Sequence, residues 1–267
     1  MIRVGVFGAG GRMGSMVCRT VAEDPELELV AAIDPHHAGI DVREVTGANA
    51  PGLHIAPGAD ALADTGASVV VDFTEAVAAS ENMRWCAGHG IHGVVGTTGL
   101  SPEVLEELTG LFAGDDGPNC LVAPNFAIGA VLMMRFAEMA APFFETAEVI
   151  ELHHDAKVDA PSGTAMLTAE RMATASAEWG DDPTRSEVLP GARGGLGPAG
   201  IRVHSVRLRG LVAHQEVLLG TTGQSLTIRH DSYDRSSFMP GVTLAVKQIG
   251  SRPGLTVGLD AFLFPPP

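Results

Sequence analysis

The stretch V-G-V-F-G-A-G-G-R-M-G, Val4 to Gly14, constrains the fold more than any other part of the chain. A short apolar run ends in glycines, and helical spacing follows at once: Gly14–Glu23 places Val17, Thr20 and Val21 on one face. The glycines read as Gly8-x-Gly10 or as Gly8-x-x-Gly11-x-x-Gly14. Both are registers of a strand–turn–helix loop for a dinucleotide. Glycine permits the tight turn and lets backbone N–H groups approach a pyrophosphate at the helix N-terminus. A second strand, Leu27–Asp34, ends in a carboxylate about 20 residues past the helix start, as the dinucleotide fingerprint requires. A carboxylate there accepts from a ribose 2′-hydroxyl and repels a 2′-phosphate, which favours NADH. Pro35 follows and offers no arginine, but Arg12, His36 and His37 remain as phosphate partners, so NADPH stays open. A plain strand-end cap is the alternative role for Asp34.

Strand and helix signals keep alternating through the first half. Ser68–Phe73, flat and apolar on both faces, reads as a central parallel strand. A helix over Ala76–His89, a strand over His92–Gly96, a helix over Pro102–Phe112 and a strand over Cys120–Ala123 follow. That order predicts an α/β fold with a Rossmann-like, doubly wound parallel sheet. The loops Asp72-Phe73-Thr74 and Gly96-Thr97-Thr98-Gly99 close strands at its C-terminal edge, the edge that faces a ligand crevice. From about Asn125 the pattern changes. A helix over Gly129–Phe144, a strand over Glu148–His153 and a helix over Ser162–Trp179, with Ser162 as N-cap, precede a Gly- and Pro-rich loop over Asp181–Gly200. Three strands follow, Ile201–Arg209, Val212–Gly220 and Ser225–His230, the last two flanking a TTGQ hairpin turn. This predicts a second, α+β domain with a mostly antiparallel, four-stranded sheet. The expected boundaries are 1–125 for a dinucleotide-binding domain and 126–236 for a substrate-binding and oligomerisation domain. Residues 237–267, helical over Gly241–Ile249, form a segment returning to the first domain.

Composition narrows the function classes. The formal net charge of −15 is a poor match for nucleic acid, which needs a basic patch. No window holds the roughly 18 apolar residues of a membrane span, and the start is not a signal peptide. Cys18, Cys86 and Cys120 are scattered and odd in number, as free, buried thiols in a reducing compartment would be. The expectation is a cytoplasmic protein.

The stretch E-L-H-H-D-A-K-V-D-A-P-S-G-T-A, Glu151 to Ala165, crowds two histidines, a lysine and an aspartate before a helix start. It admits three readings. A metal site is disfavoured, because adjacent residues of a strand point to opposite faces and no second cluster completes a ligand set. A solvated polar loop explains few of the residues. A pocket for an anionic substrate explains more. Gly163 and Thr164 sit at a helix N-terminus, where free N–H groups and the dipole favour a carboxylate, Lys157 adds a cation, and a histidine can move a proton.

These motifs carry a resemblance. GAGGRMG (Gly8–Gly14), VDFT (Val71–Thr74), GTTG (Gly96–Gly99), APNFAIG (Ala123–Gly129) and ELHHDAKVDAPSGTA stand in the order found in dihydrodipicolinate reductases, also called 4-hydroxy-tetrahydrodipicolinate reductases, of bacterial lysine and diaminopimelate synthesis. PGARG, LVAHQEV and LTIRHDS resemble the actinobacterial branch. The resemblance implies NAD(P)H-dependent reduction of 4-hydroxy-tetrahydrodipicolinate, a small dicarboxylate, with hydride delivered to C4 of the ring. It implies His153 and Lys157 as catalytic residues, and His154, Lys157, Gly163 and Thr164 as substrate contacts. It implies cofactor contacts by Gly8, Ala9, Gly10, Gly11, Arg12, Met13, Asp34, Gly96, Thr97, Thr98, Ala123, Pro124, Asn125 and Phe126. The family often carries Glu, sometimes followed by Arg, where this chain has Asp34-Pro35, so the cofactor leans to NADH or to dual use. A homotetramer built through the second domain's sheet is implied as well. His204, His214, Arg193, Arg209 and Arg235 receive no assignment, and solvated surface or satisfied core is their default.

Overall fold

In a computed structural model, residues 1–114 and 117–264 are described, and their contacts divide the chain into two units. One comprises Met1–Phe126 with the segment from Phe238 onward, the other Ala127–Ser237. In the first unit the elements run β1 (Ile2–Phe7), α1 (Arg12–Glu23), β2 (Leu27–Ile33), α2 (Val42–Thr46), β3 (Val69–Asp72), α3 (Ala76–Gly88), β4 (His92–Val95), α4 (Pro102–Leu111) and β5 (Cys120–Val122). The second unit holds α5 (Ile128–Ala140), β6 (Thr146–His153), α6 (Gly163–Ala175), β7 (Gly195–Leu196), β8 (Arg202–Arg207), β9 (Ala213–Thr221) and β10 (Gln224–Ser232). The chain ends in the first unit with α7 (Met239–Gln248), β11 (Leu255–Val257) and α8 (Asp260–Leu263).

Six parallel strands build the first sheet, in the order β11-β5-β4-β3-β1-β2. All four residues of β3 are buried, as its unbroken apolar run requires. From β1 the chain winds to β2 on one side, and from β3 it winds to β4 on the other. Right-handed crossovers therefore set α1 and α3 on opposite faces. The carboxyl ends of β1 and β3 lie side by side where the winding reverses, the place where such sheets bind ligands. Helix α1 starts at Arg12, two residues earlier than its apolar spacing suggested. It buries Gly14, Val17, Cys18 and Val21, with Cys18 rather than Thr20 on the packed face.

Strand β11 was not legible as a strand. Asn119 holds it in place: its side chain donates to the Ile249 carbonyl at 2.8 Å and accepts from Gly254 N–H at 3.1 Å. The Asn119 backbone N–H in turn donates to His92 Nδ1 at 2.8 Å, so that nitrogen must be unprotonated. Burial lowers the His92 pKa below its ordinary value, whereas in the unfolded chain it binds a proton near pH ~6.5. The unfolded state thus holds more protons across that window, and stability rises with pH through it. We expect thermal stability to fall between pH ~7.5 and ~5.5, and His92→Gln, whose carbonyl accepts the same N–H at every pH, to flatten that fall. Equal slopes in both proteins, measured by thermal melts, would remove His92 as a cause.

The second sheet has five strands in the order β10-β9-β6-β8-β7, not the four expected. The extra strand, β7, is a two-residue pairing inside the Gly- and Pro-rich loop. Such a piece carries no alternation by which to detect it. Only β6 and β8 run parallel, and the other three pairs are antiparallel. The TTGQ turn closes a tight hairpin that pairs Thr221 with Gln224, with Gly223 at φ +80°. Two helices end sooner than their apolar spacing suggested. After α5, Pro142 cannot donate the next helical hydrogen bond, and a short 3-10 turn follows. After α6, Ser176 turns extended, and its carbonyl accepts from the Trp179 indole at 2.9 Å. Helices α5 and α6 share one face of the sheet. Gly129 of α5 lies against His230, Gln215 of β9 donates to Thr168 of α6 at 2.7 Å, and His230 pairs directly with Gln215.

Candidate active site

The first unit carries a glycine-lined turn at the end of β1. Gly8 is left-handed at φ +69°. A methyl group on Gly14 would stand 2.0 Å from the Gly8 carbonyl oxygen, and one on Gly10 would stand 2.2 Å from His37 Nδ1. Gly14 therefore admits no side chain, one at Gly10 would displace His37, and the start of α1 lies bare. Its N-cap, Gly11, offers no side-chain hydrogen bond to the first-turn N–H groups, which suits an anion at that helix end. Ala9 is fully buried, Arg12 is exposed, and Met13 reaches a cavity beside the turn.

Asp34 closes over this turn. One carboxylate oxygen accepts from Gly10 N–H and the other from His36 N–H, both at 2.9 Å. Burial pushes its carboxyl up, but hydrogen bonds from His37, His36 and Gly10 outweigh burial, and its pKa lies below the ordinary value. Asp34 is thus an ionised cap of the 3-10 turn Pro35–His37 and a wall of a cavity of about 520 Å³. Gly8, Gly11, His36, Phe73 and Thr74 line the same cavity. These are the residues that could hold the nucleoside end of a dinucleotide.

A smaller cavity of about 250 Å³ is lined by Met13, Phe73, Gly96, Pro124, Asn125, Phe126 and Phe238. Gly96 has no room for a side chain, because a methyl there would stand 2.0 Å from the Phe73 ring. Thr97 is buried and donates to the Thr74 carbonyl at 2.9 Å, while Thr98 is exposed. Ala123 is fully buried at the end of β5. Behind these loops stands Asp72, with no solvent exposure. It accepts from Thr74 N–H at 2.8 Å and Oγ1 at 2.6 Å, from Thr97 Oγ1 at 3.3 Å and from Asn82 at 2.8 Å. This network ties the β3 and β4 loops together.

The second unit carries the titratable cluster at the carboxyl end of β6. His153 is its last residue, and His154 follows where the chain turns. The His154 carbonyl accepts from Lys157 N–H at 3.2 Å. His153 Nδ1 lies 2.5 Å from Oε2 of Glu151, a carboxylate with no solvent exposure. Burial lowers the His153 pKa, the Glu151 carboxylate works against that, and Lys157 and Arg207 lower it further. The net shift is downward. The Lys157 ammonium binds both Asp159 oxygens, at 2.8 and 2.7 Å. Helix α6 begins at Gly163, and Ser162 caps it by accepting from Ala165 N–H at 3.2 Å. No atom lies within 4 Å of the point where a Gly163 side chain would begin, so the approach to this helix end is open. Thr164 follows in the first turn, partly buried. Among the described residues no group of three or more His, Cys, Asp and Glu is arranged to hold a metal ion.

The unassigned polar residues are spread over the second unit, and Arg209 and His214 lie close to this stretch. Arg193 and His204 both bind Glu148, at 2.6 and 2.7 Å, on the sheet face away from α6. Arg209 pairs with Asp155 at the surface, buried His214 pairs with Asp231, and Arg235 opens a 3-10 turn. A cavity of about 380 Å³, walled by Trp179, Arg193 and Arg202, sits at the opposite end of β6 from His153 and holds none of the predicted site residues. The three cysteines are buried and unbridged, and burial pushes the Cys18 and Cys86 thiols up to about 12.

Fold and site together define a nicotinamide-nucleotide-dependent oxidoreductase. Its first half, residues 2–126, matches the family model for the dihydrodipicolinate reductase N-terminus, and residues 129–263 match that for the C-terminus. The chain belongs to the dihydrodipicolinate reductase family. It is 53% identical over 266 residues to the 4-hydroxy-tetrahydrodipicolinate reductase of Nocardia farcinica, covering 98% of each chain. With the enzyme of that name from Cutibacterium acnes it shares 51% identity over 267 residues, 98% of this chain and 99% of the other. A solved dihydrodipicolinate reductase from Paenisporosarcina sp. TG-14, with dipicolinate bound, superposes with a TM-score of 0.85 at 42% identity, over 97% of this chain and 98% of that one. A probable dehydrogenase from Thermotoga maritima shares the fold at 12% identity and a TM-score of 0.63.

Proposed function

We propose that this chain reduces 4-hydroxy-tetrahydrodipicolinate to tetrahydrodipicolinate in lysine and diaminopimelate biosynthesis. The observation that carries this reading is the His153–Lys157–Gly163 cluster, standing in a chain whose two halves both match one reductase family. When bound, the nicotinamide nucleotide supplies the hydride that adds to C4 of the unsaturated ring left by loss of water. Gly163 and Thr164 hold one substrate carboxylate on the N-terminus of α6. Lys157 and His154 hold the dianion from the side, with Lys157 exchanging Asp159 for a substrate carboxylate. His153 Nε2 delivers the proton that the resulting enamine carbon must gain. Its resting pKa is low, but an adjacent dianion raises it, so substrate binding itself loads the acid. The acidic bulk of the chain makes this local cation cluster necessary for attracting a dianion.

The residues of the glycine turn, with Asp34, the Gly96–Thr98 loop and Ala123–Phe126, hold the cofactor. Asp34 favours NADH over NADPH by charge, with His36, His37 and Arg12 leaving partial use of NADPH. Steady-state kinetics with both nucleotides tests this: kcat/KM is expected to be higher with NADH, and Asp34→Asn to lower the NADH-to-NADPH ratio by roughly 10-fold, about 1.4 kcal/mol. A ratio unmoved by Asp34→Asn would leave Asp34 as a turn cap only. The protein works as a homotetramer in the cytoplasm. For the tetramer, the support is that α5 and α6 both pack on one face of the second sheet, which leaves the other face to partner copies.

A further inference from the structure

Glu151 and Arg207 hold no role in the chemistry above, yet the site is built around them. A charge without solvent exposure is costly unless it is paired and fully hydrogen-bonded. Glu151 is both. Arg207 donates to Oε1 at 2.8 Å and to Oε2 at 2.9 Å, Ser162 N–H donates to Oε1 at 3.2 Å, and His153 Nδ1 sits at Oε2. Strand alternation puts Glu151 and His153 on one face of β6, and the parallel pairing sets Arg207 directly beside His153. Arg207 is used from every nitrogen. It also donates to the Lys157 carbonyl at 3.3 Å, the Asp159 carbonyl at 2.6 Å and the Val206 carbonyl at 2.8 Å.

We infer that Glu151 is the positioning residue of the proton donor: it fixes the hydrogen on Nδ1 of His153, so that Nε2 faces the substrate, and Arg207 locks this carboxylate to the loop that carries Lys157. The inference deepens the reductase reading and rests on it. An ionised carboxylate only accepts, so the ring nitrogen that faces it must carry the hydrogen. Burial works to raise the Glu151 pKa, but hydrogen bonds from Arg207, Ser205 and His153 outweigh it and keep the group ionised. The charges facing His153 are Glu151 on its own strand, Arg207 on β8 and Lys157 in the loop after it. Ala213, its neighbour on β9, and Ser162 at the start of α6 bring none. Glu151 is therefore the anion that supports the imidazolium against two cations. The Ser162 contact joins the same carboxylate to the helix end proposed to hold the substrate. Proton donor, lysine loop and carboxylate cradle thus share one buried anchor.

A purely structural ion pair would stabilise the sheet and leave the imidazole's hydrogen and titration unaffected. Nitrogen NMR of the full chain with labelled histidine separates the two roles. In the wild-type protein above the His153 titration, we expect Nδ1 protonated and Nε2 bare, and the opposite tautomer overturns the inference. In Glu151→Gln the supporting charge is gone, so the imidazolium is less stable and its pKa falls. The alkaline limb of kcat then moves by about one pH unit to lower pH, and kcat above neutrality falls roughly 10-fold. KM for the nucleotide stays unchanged. Glu151→Asp, which keeps the charge, recovers part of the limb position. A folded Glu151→Gln protein with wild-type tautomer and limb would make Glu151 structural only. If Glu151→Gln does not fold, the wild-type tautomer decides alone. An inactive wild-type protein would sink the reductase reading, whereas an active one with the wrong tautomer would sink this inference and leave that reading standing.

Discussion

His153→Ala lowers turnover by ~10²–10⁴-fold, the range that a positioned general acid contributes. The variant keeps the anionic anchor, since Glu151 retains Arg207 and Ser162 N–H as donors, so the loop and the α6 start stay in place. Substrate affinity is expected to change little, and the loss to fall on kcat. Cofactor affinity is expected to stay unchanged, because the residues proposed to hold the nucleotide belong to the other unit. Steady-state rates against substrate concentration check this, and near-wild-type turnover would remove His153 as the proton donor.

The second large effect comes from Lys157→Ala. The Lys157 side chain is 19% exposed, while that of its partner Asp159 is 62% exposed. An exposed carboxylate exchanges for a substrate carboxylate more readily than a buried one, because its desolvation has not been completed. Losing this charged contact costs about 1.5–3 kcal/mol, a fall of roughly 10–150-fold in kcat/KM. Both KM for substrate and kcat should suffer, since the cation binds the dianion and also shapes the field at His153. Were nucleotide binding alone to change, Lys157 would belong to another part of the site.

Much of this site was readable because its residues are local in sequence. The glycine turn declares itself through steric demand: Gly14 admits no side chain, and the flanking strand and helix have clear periods. The segment from His153 to Thr164 is contiguous, so its charges and its helix cap are visible together. What escaped was assembled by pairing. Arg207 meets Glu151 only because β8 runs beside β6, and Asp72 meets Thr97 only because β3 and β4 are neighbours. One signal for Glu151 was present: an acidic residue inside an apolar strand, two positions before a histidine, lies on that histidine's face. The strand β11 and the two-residue β7 were too short for any period to announce them.

One assay decides whether the protein is this reductase. The substrate is made enzymatically in place, and the fall in reduced-nicotinamide absorbance is followed with this protein added. We expect oxidation that requires both the substrate and the protein, runs faster with NADH than with NADPH, and nearly vanishes with His153→Ala. Oxidation independent of the substrate, or none with a folded protein that binds NADH, would contradict it.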